Sequence, residues 1–252
     1  MRRPLALLYG LVAYLLAVGS MVYLVVWVNG LLVPRGIDDG PPAPLGVALA
    51  IDSGLLLLFG LSHSLMARES VKRALARIQP PGLERSTYTL VSGATLALTS
   101  WQWRPLPAVV WDLSGTGAGH FLLGLSLAGF GLALAGFVAV GNARLFGLEQ
   151  AWRYARGEPP TEDALVVRGI YNWVRHPLYA GFILGCWIGP VMSHGRALFA
   201  AGTTLYILIG MRFEARDLER RFGSRFHGYR AEVPAWLPRP GRRFRGGAGA
   251  DR

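Results

Sequence analysis

Residues 4–34 of the chain read PLALLYGLVAYLLAVGSMVYLVVWVNGLLVP and contain no Asp, Glu, Lys or Arg. This run is longer than the roughly 20 apolar residues that a helix needs to cross a bilayer. Of the 252 residues in the chain, 52% are hydrophobic and only 16% are charged, whereas a soluble domain carries about 25% charged residues. The sequence therefore predicts an integral membrane protein.

The N-terminus shares one feature with a secretory signal peptide, because Arg2 and Arg3 precede the apolar run. The apolar region of a signal peptide is only about 7–15 residues long, and this run is about twice that length. It also lacks a clear cleavage site of small residues. We therefore expect an uncleaved first membrane span. The single cysteine, Cys186, excludes a disulfide bond within the chain.

The apolar segments of the chain predict an all-α, polytopic membrane helical bundle of about six transmembrane helices. The segments lie at 5–33, 45–66, 87–103, 118–141, 178–193 and 197–212. The last two are shorter than the lower limit of about 17 residues for a span. They cross the membrane as a hairpin if their polar ends extend the helices. A bundle of five spans, with this hairpin only partly inserted, remains the alternative.

The distribution of basic residues predicts that both termini are cytoplasmic. With six spans and the N-terminus inside, 23 of the 26 Lys and Arg residues fall on the cytoplasmic side, as the positive-inside rule requires. The net charge of +11 is then explained by contact with anionic lipid headgroups, and we expect no nucleic-acid partner. Residues 1–240 are expected to form one membrane domain, followed by a basic, Gly-rich and disordered tail at 241–252.

The stretch RHPLYAG, residues 175–181, places polar side chains at the start of an apolar run. Pro177 suits the first turn of a helix, and it disfavours helical geometry at His176. A helix N-terminus attracts anions, and Arg175 adds a guanidinium that suits a carboxylate. Tyr179 offers a ring and a hydroxyl, and Gly181 allows close approach to the backbone. The same residues also suit a purely structural belt at the membrane interface.

A second polar cluster follows the last apolar segment and begins at Glu214. If the last two segments form a hairpin, Glu214 lies near Arg175 and His176, where its carboxylate binds a diol or an ammonium group, or simply pairs with the arginine. Phe222, Phe226 and Tyr229 follow at helical spacing and predict an amphipathic helix against the mouth of the bundle. That helix either covers a site as a lid or only packs against the bundle.

Two ionisable residues lie within the second apolar segment. Asp52 and His63 are eleven residues apart, about three helical turns, and therefore share one face of a helix. An ionisable group inside a membrane usually faces the interior of the bundle. The two residues either border one polar cavity or are satisfied separately near opposite ends. The five histidines of the chain show no spacing typical of metal ligands, so we expect no metal site.

Several stretches of the chain together resemble a known family. RHPLYAG followed by FEARDLERRFGSRFHGYRAEVP resembles the membrane methyltransferase superfamily that includes the isoprenylcysteine carboxyl and phospholipid methyltransferases. The stretches AIDSGLLLLFGLSHSLMAR, LERSTYTL, WQWRP, LFGLEQAW and TTLYILIG narrow the resemblance to bacterial methanethiol S-methyltransferases, almost from end to end. The resemblance implies transfer of a methyl group from S-adenosylmethionine to a small thiol, forming dimethyl sulfide from methanethiol, in the bacterial inner membrane.

The resemblance also implies roles for individual residues. Cofactor binding is assigned to Arg175, His176, Pro177, Tyr179, Gly181 and Glu214. The thiol must lose its proton, so a base or a positive field is expected near it. His63 is the candidate base, with His176 as a second one; Arg85 or Arg175 supplies the field, and Asp52 orients a partner.

The chain departs from the pattern of the family at Ala215, Arg144 and Arg196, where we expect a second acid, a more acidic loop and a neutral turn. These departures weaken the implication of methanethiol in particular, and a different small thiol or a loss of activity is the alternative that they leave. A lipid, a prenylcysteine-type carboxylate or a hydrophobic amine is the alternative acceptor. A transporter or an assembly protein without enzymatic activity is the alternative from another class, and binding of the cofactor separates it from both enzymes. The oligomeric state is left open.

Overall fold

The computed structural model describes residues 3–80, 82–159 and 165–238. The predicted tail at 241–252 lies outside these residues, as does Arg2. The elements follow in the order α1 (Arg3–Asn29), α2 (Leu45–Met66), α3 (Glu69–Ala76), α4 (Leu83–Gln102), β1 (Val109–Asp112), α5 (Gly117–Val140), α6 (Asn142–Leu145), α7 (Leu148–Arg156), a 3₁₀ turn (Gly169–Asn172), α8 (Pro177–Trp187), β2 (Val191–Ser193) and α9 (His194–Glu232).

The predicted class, an all-α membrane bundle, is confirmed. Within the described ranges, α1, α2, α5 and α9 are long and apolar enough to cross a membrane, and α8 is a shorter apolar helix. The third predicted segment coincides with α4, which packs against α1 and α2. The apolar core includes Trp27, Trp103 and Phe199, whose rings meet edge to face at 5.5–5.7 Å. The number of spans and the side on which the termini lie remain predictions.

The fifth predicted segment, 178–193, differs from the expected helix. The helix ends at Trp187, because Pro190 cannot continue it. Residues Val191–Ser193 then form β2, which pairs antiparallel with β1 in the loop before α5. The turn between the last two segments thus pairs with the loop before α5 in a two-stranded sheet that the apolar pattern did not predict.

The last helix is longer than predicted and contains one break. It runs from His194 to Glu232 and is interrupted at Gly223, whose φ of 48° and ψ of −122° are not helical. Such a conformation suits glycine, which has no Cβ. The predicted amphipathic helix is therefore not continuous, because the break separates Phe222 from Phe226 and Tyr229. Its apolar face is buried, with Phe226 and Tyr229 each only 3% exposed.

Glycines allow α5 and α8 to approach each other closely. A Cβ atom built at Gly129 of α5 would lie 2.7 Å from the main-chain nitrogen of Gly185. One built at Gly181 of α8 would lie 2.4 Å from the main-chain nitrogen of Ala133. Small residues permit such backbone contacts between membrane helices. Glycine at these two positions therefore permits the close contact between α5 and α8.

Arg196 joins three helices at the opposite end of α8 from His176. It was expected in an outer loop, but it lies in the first turn of α9 and is only 2% exposed. Its guanidinium donates hydrogen bonds to main-chain oxygens of Val28, Gly185, Cys186 and Ile188, at 2.6–3.1 Å. These acceptors include carbonyls at the C-terminal end of α8, which lack partners within the helix.

Replacing Gly129 by Ala should destabilise the protein, because the new methyl group collides with the backbone of α8. Overpacking of this kind costs about 1–3 kcal/mol. The melting temperature of the detergent-purified protein is expected to fall clearly below that of Gly124→Ala. Gly124 lies on the same helix, and its added Cβ meets nothing within 4 Å. Equal melting temperatures for the two variants would contradict the proposed contact.

Replacing Arg196 by Met should destabilise the protein more strongly, because several buried carbonyls lose their donor together. Each buried acceptor that is left without a donor costs about 1–3 kcal/mol. The matched control is Arg212→Met, on the exposed surface of the same helix. We expect a large drop in melting temperature and yield for the first variant only. A stable Arg196→Met protein would show that these carbonyls are satisfied in another way.

Candidate functional site

The bundle encloses a cavity of about 680 Å³ between α1, α2, α4, α8 and α9. Ligand pockets for molecules of drug size span about 300–1,000 Å³, so the cavity can hold a nucleoside-sized ligand. Its apolar part is lined by residues such as Met21, Leu96 and Phe199. The charged lining residues come from α3, the start of α4 and the far part of α9: Glu69, Lys72, Glu84, Arg85 and Arg221. This charged end is the one that the distribution of basic residues places in the cytoplasm.

His63 of α2 is held between two groups on α4. The Tyr88 hydroxyl is hydrogen-bonded to Nε2 of His63, and Oγ of Ser92 lies 3.0 Å from Nδ1. The rings of Phe59 and Tyr206 pack around the imidazole, with centroids 5.4 and 5.8 Å away. His63, Tyr88 and Ser92 all line the cavity. Both ring nitrogens of His63 are therefore engaged by neighbouring side chains.

The RHPLYAG stretch forms the start of α8 as predicted. Pro177 occupies the first turn, and His176 precedes it with φ −126° and ψ 55°, outside helical geometry. The His176 ring stacks on Tyr179, with 5.5 Å between centroids. The main-chain N–H groups of Arg175 and His176 donate to carbonyl oxygens of Pro234 and Ala235, at 2.9 and 3.1 Å. The segment after α9 therefore holds the start of α8 in place.

Glu214 of α9 meets the start of α8, as the hairpin predicted. Its Oε2 atom lies 3.7 Å from Nδ1 of His176, and its carboxylate is hydrogen-bonded to Tyr179. The Oε2 atom is buried and finds no hydrogen-bond partner among the described residues, and the same is true of Nε of Arg175. Buried polar groups are nearly always satisfied in native proteins, so an acceptor and a donor here are left for a ligand.

Burial lowers the pKa of His176 to about 4, and the nearby positive charge of Arg175 lowers it further in the same direction. The imidazole is therefore neutral at pH 7. Its contact with Glu214 at 3.7 Å is then a polar contact and not an ion pair. The negative charge of Glu214 is left without a cationic partner in this contact.

Tyr179 connects the two groups of polar residues. It lines the cavity together with His63 and Arg85, and it contacts both His176 and Glu214. His176 and Glu214 thus meet at Tyr179, and Tyr179 lines the same cavity as His63 although the two are far apart in the sequence. Arg85 lies one helical turn before Tyr88 on α4 and on the same face.

Gly181 and Asp52 lie elsewhere. The group that approaches Gly181 closely is the backbone of α5, as described above, and not a ligand in the cavity. Asp52 is fully buried, and its Oδ1 accepts a hydrogen bond of 2.9 Å from the main-chain N–H of Arg104. It is not among the residues that line the cavity. Asp52 therefore links α2 to the residues that follow α4, about three turns from His63.

The far part of α9 packs over the loop that leads into α8. Phe226 and Tyr229 form an apolar cluster with Leu165 and Val233. The Tyr229 hydroxyl donates to the carbonyl oxygen of Tyr171 at 2.7 Å. The amphipathic helix thus supports the start of α8 through packing, the simpler of its two predicted roles.

Sequence reasoning did not identify Tyr88, Ser92 or Tyr206 as residues of the site. Tyr88 and Ser92 are four residues apart, which places both on the face of α4 that carries Arg85. Polar residues recurring at this spacing within a predicted span were the available signal, because the polar face of a membrane helix turns towards the interior of the bundle.

Comparison with known proteins gives concordant results. Residues 53–219 match the family model described as NnrU protein. The chain is 39% identical to a methanethiol S-methyltransferase of Mycobacterium tuberculosis, over 96% of this chain and 99% of that protein. It is 40% identical to methanethiol S-methyltransferase 2 of Bradyrhizobium diazoefficiens, over 92% of this chain and 90% of that protein. A more distant relative is Nurim of Xenopus laevis, 29% identical over 69% of this chain and 66% of that protein. No solved structure matches the chain.

The neutral state of His176 can be tested by nitrogen-15 NMR on histidine-labelled protein in detergent, with the resonance assigned by its loss in His176→Gln. Because burial lowers the pKa of this ring to about 4, no protonation is expected between pH 8 and pH 5.5. Protonation should begin only as the pH approaches that pKa. A midpoint at or above the usual value of about 6.5 would contradict the described environment.

Proposed function

We propose that this chain, which belongs to the NnrU family and to the methanethiol S-methyltransferases, transfers a methyl group from S-adenosylmethionine to the sulfur of methanethiol. The observation that supports this most directly is Tyr179, which connects the carboxylate of Glu214, whose Oε2 atom has no hydrogen-bond partner among the described residues, to the cavity that His63 lines. A cofactor site and a site for proton transfer are thereby contiguous. The volume of the cavity suits a nucleoside cofactor together with a small acceptor.

The residues at the start of α8 fit the polar groups of S-adenosylmethionine. Glu214 presents an unpartnered carboxylate oxygen, which suits the ribose diol or the ammonium group of the cofactor. The unpartnered Nε of Arg175 suits the carboxylate of the cofactor. The aromatic faces of Tyr88 and Tyr179 line the cavity, and such faces attract a cation. When bound, the cofactor supplies a methyl group made electrophilic by a positively charged sulfur.

The protein itself must position the thiol and remove its proton. No covalent intermediate with the protein is needed, so catalysis rests on alignment of the reacting atoms and exclusion of water. His63 is the base, and Arg85, on the same cavity wall as Tyr88, supplies a positive field that favours thiolate. Asp52 acts as a positioning residue, because its bond to the N–H of Arg104 fixes α2 relative to α4.

We further propose that the protein lies in the bacterial inner membrane with the site facing the cytoplasm. The charged end of the cavity coincides with the predicted cytoplasmic ends of the helices. None of the three family departures lines the cavity: Arg144 and Ala215 are not lining residues, and Arg196 binds carbonyls at the other end of α8. They therefore leave the methanethiol assignment in place.

The decisive test is the formation of dimethyl sulfide by purified protein in detergent, with S-adenosylmethionine and methanethiol, measured by gas chromatography of the headspace. Glu214→Gln should weaken cofactor binding by about 10- to 100-fold, because a hydrogen bond to a charged group is worth about 1.5–3 kcal/mol. Cofactor affinity is measured separately by calorimetry. The thioether yield should fall in parallel at limiting cofactor.

The matched control is Glu219→Gln, a carboxylate on the same helix that is exposed and pairs with His227. This variant should retain the activity and affinity of the wild type, since exposed ion pairs contribute little. Cofactor binding without dimethyl sulfide would contradict methanethiol as the acceptor and direct the search to lipid or prenylcysteine-type acceptors. Failure to bind the cofactor at all would refute the methyltransferase itself.

A further inference from the structure

We propose that Tyr88 is a catalytic residue that receives the proton of the thiol and passes its own proton to His63, while Ser92 fixes the imidazole in the tautomer that accepts it. This inference rests on the proposed methyl transfer to a thiol and assigns the proton path within that site. It is drawn from the two contacts of the His63 ring nitrogens, one further hydrogen bond of Ser92, and the position of Tyr88 in the cavity.

The first contact concerns access to His63. Nε2 faces the hydroxyl of Tyr88, and Nδ1 faces Oγ of Ser92 at 3.0 Å. An imidazole has only two nitrogens, so neither presents a free lone pair to a thiol in the cavity. A proton that leaves the thiol can therefore reach this ring only through one of the two hydroxyl groups.

The second contact decides between those hydroxyls. Oγ of Ser92 donates its single hydrogen to the main-chain oxygen of Tyr88, at 2.8 Å. Towards His63 it can then only accept, so Nδ1 of the imidazole carries the hydrogen. Nε2 therefore has the lone pair, and the Tyr88 hydroxyl is the donor to it. This assignment follows from the hydrogen-bond network. The proton therefore reaches His63 through Tyr88, and Ser92 fixes the tautomer of the imidazole.

The third observation is the position of Tyr88. It lines the cavity, and after donating to His63 its oxygen still accepts a hydrogen bond from a thiol. The hydroxyls of Tyr179 and Tyr206 are engaged by Glu214 and Ser64. The titratable groups that face Tyr88 are Arg85 on α4, His63 on α2, Tyr179 on α8, and Tyr206 and Glu214 on α9.

The step balances without a further reactant. The S–H bond of the thiol breaks, its proton moves to the oxygen of Tyr88, and the Tyr88 proton moves to Nε2 of His63. The thiol sulfur keeps the electron pair and forms the new bond to the methyl carbon, while the old bond from carbon to the sulfonium sulfur breaks and leaves its pair on that sulfur. The positive charge of the sulfonium is thus replaced by that of the imidazolium, which later releases its proton to water.

The test compares two acceptors that differ in acidity. Methanethiol is mostly protonated at neutral pH, whereas 2,2,2-trifluoroethanethiol is substantially ionised. Tyr88→Phe should lower kcat/KM for methanethiol by about 100-fold or more, the usual scale of acid–base catalysis. The loss in kcat/KM for the fluorinated thiol should be less than about a fifth of the loss for methanethiol. A thiol that is already largely ionised needs less help from the protein to lose its proton. The methanethiol rate of the variant should also rise with pH.

A second readout does not depend on turnover. Nitrogen-15 NMR of histidine-labelled, cofactor-free protein reports which nitrogen of His63 carries the hydrogen. We expect the Nδ1–H tautomer in the wild type and a loss of that preference in Ser92→Ala. If Tyr88→Phe does not fold, the kinetic test uses Ser92→Ala instead. We then expect a smaller loss in kcat/KM for methanethiol than in Tyr88→Phe, and a still smaller loss for the fluorinated thiol.

Two further variants test whether the effect on the rates is specific to Tyr88. Tyr9→Phe removes a hydroxyl that also bonds to α4, at 2.8 Å from Oγ1 of Thr87, but Tyr9 does not line the cavity. It should leave both rates unchanged. Glu84→Gln tests the competing base, because Glu84 lines the cavity and its Oε2 has no partner among the described residues.

Equal losses for both thiols in Tyr88→Phe would overturn the proton path and leave Tyr88 a binding or packing role. A loss that depends on thiol acidity in Glu84→Gln, without one in Tyr88→Phe, would assign the base to Glu84. A wild-type protein that binds cofactor but methylates neither thiol would refute the proposed function itself, and this inference with it.

Discussion

The guanidinium of Arg196 donates hydrogen bonds to the C-terminal carbonyls of α8, a helix that is too short to cross a membrane. An eleven-residue helix such as α8 is about 16 Å long at 1.5 Å per residue, roughly half of a hydrocarbon core of about 30 Å. Its C-terminal carbonyls are buried inside the bundle, where an unsatisfied polar group is costly. Arg196 supplies the missing donors and also reaches the end of α1. A buried charge surrounded by carbonyls is thus the condition that permits a short α8.

A short α8 in turn determines where its N-terminus lies. The glycine contacts with α5 fix its lateral position, and the main-chain bonds to Pro234 and Ala235 hold its first residues. Held in this way at both ends, the helix points Tyr179 into the cavity and keeps His176 beside Glu214. The candidate cofactor residues are therefore positioned by packing on one side of α8 and by the C-terminal segment on the other.

Local rules predicted the parts of this arrangement that depend on neighbouring residues. Pro177 at the first turn and the non-helical His176 follow from the geometry of proline, and the meeting of Glu214 with His176 follows from a hairpin. Partners from distant segments were not predictable. Periodicity placed His63 on an interior face but not opposite Tyr88, and nothing in the sequence indicates that Asp52 accepts a main-chain N–H from residue 104. The strands were missed because a three- or four-residue pairing leaves little pattern.

The two polar groups differ in a way that suits methyl transfer. At the start of α8, burial and Arg175 keep His176 uncharged, so the carboxylate of Glu214 remains available to a ligand. Around His63, by contrast, the contacts among the described residues are with neutral hydroxyls and aromatic rings. A positive charge that arises there is stabilised by polarisable rings and oxygen lone pairs. Tyr179 thus lies between the residues proposed to bind the cofactor and those proposed to move the proton. In this proposal a neutral thiol enters without competing for the groups that bind the methyl donor.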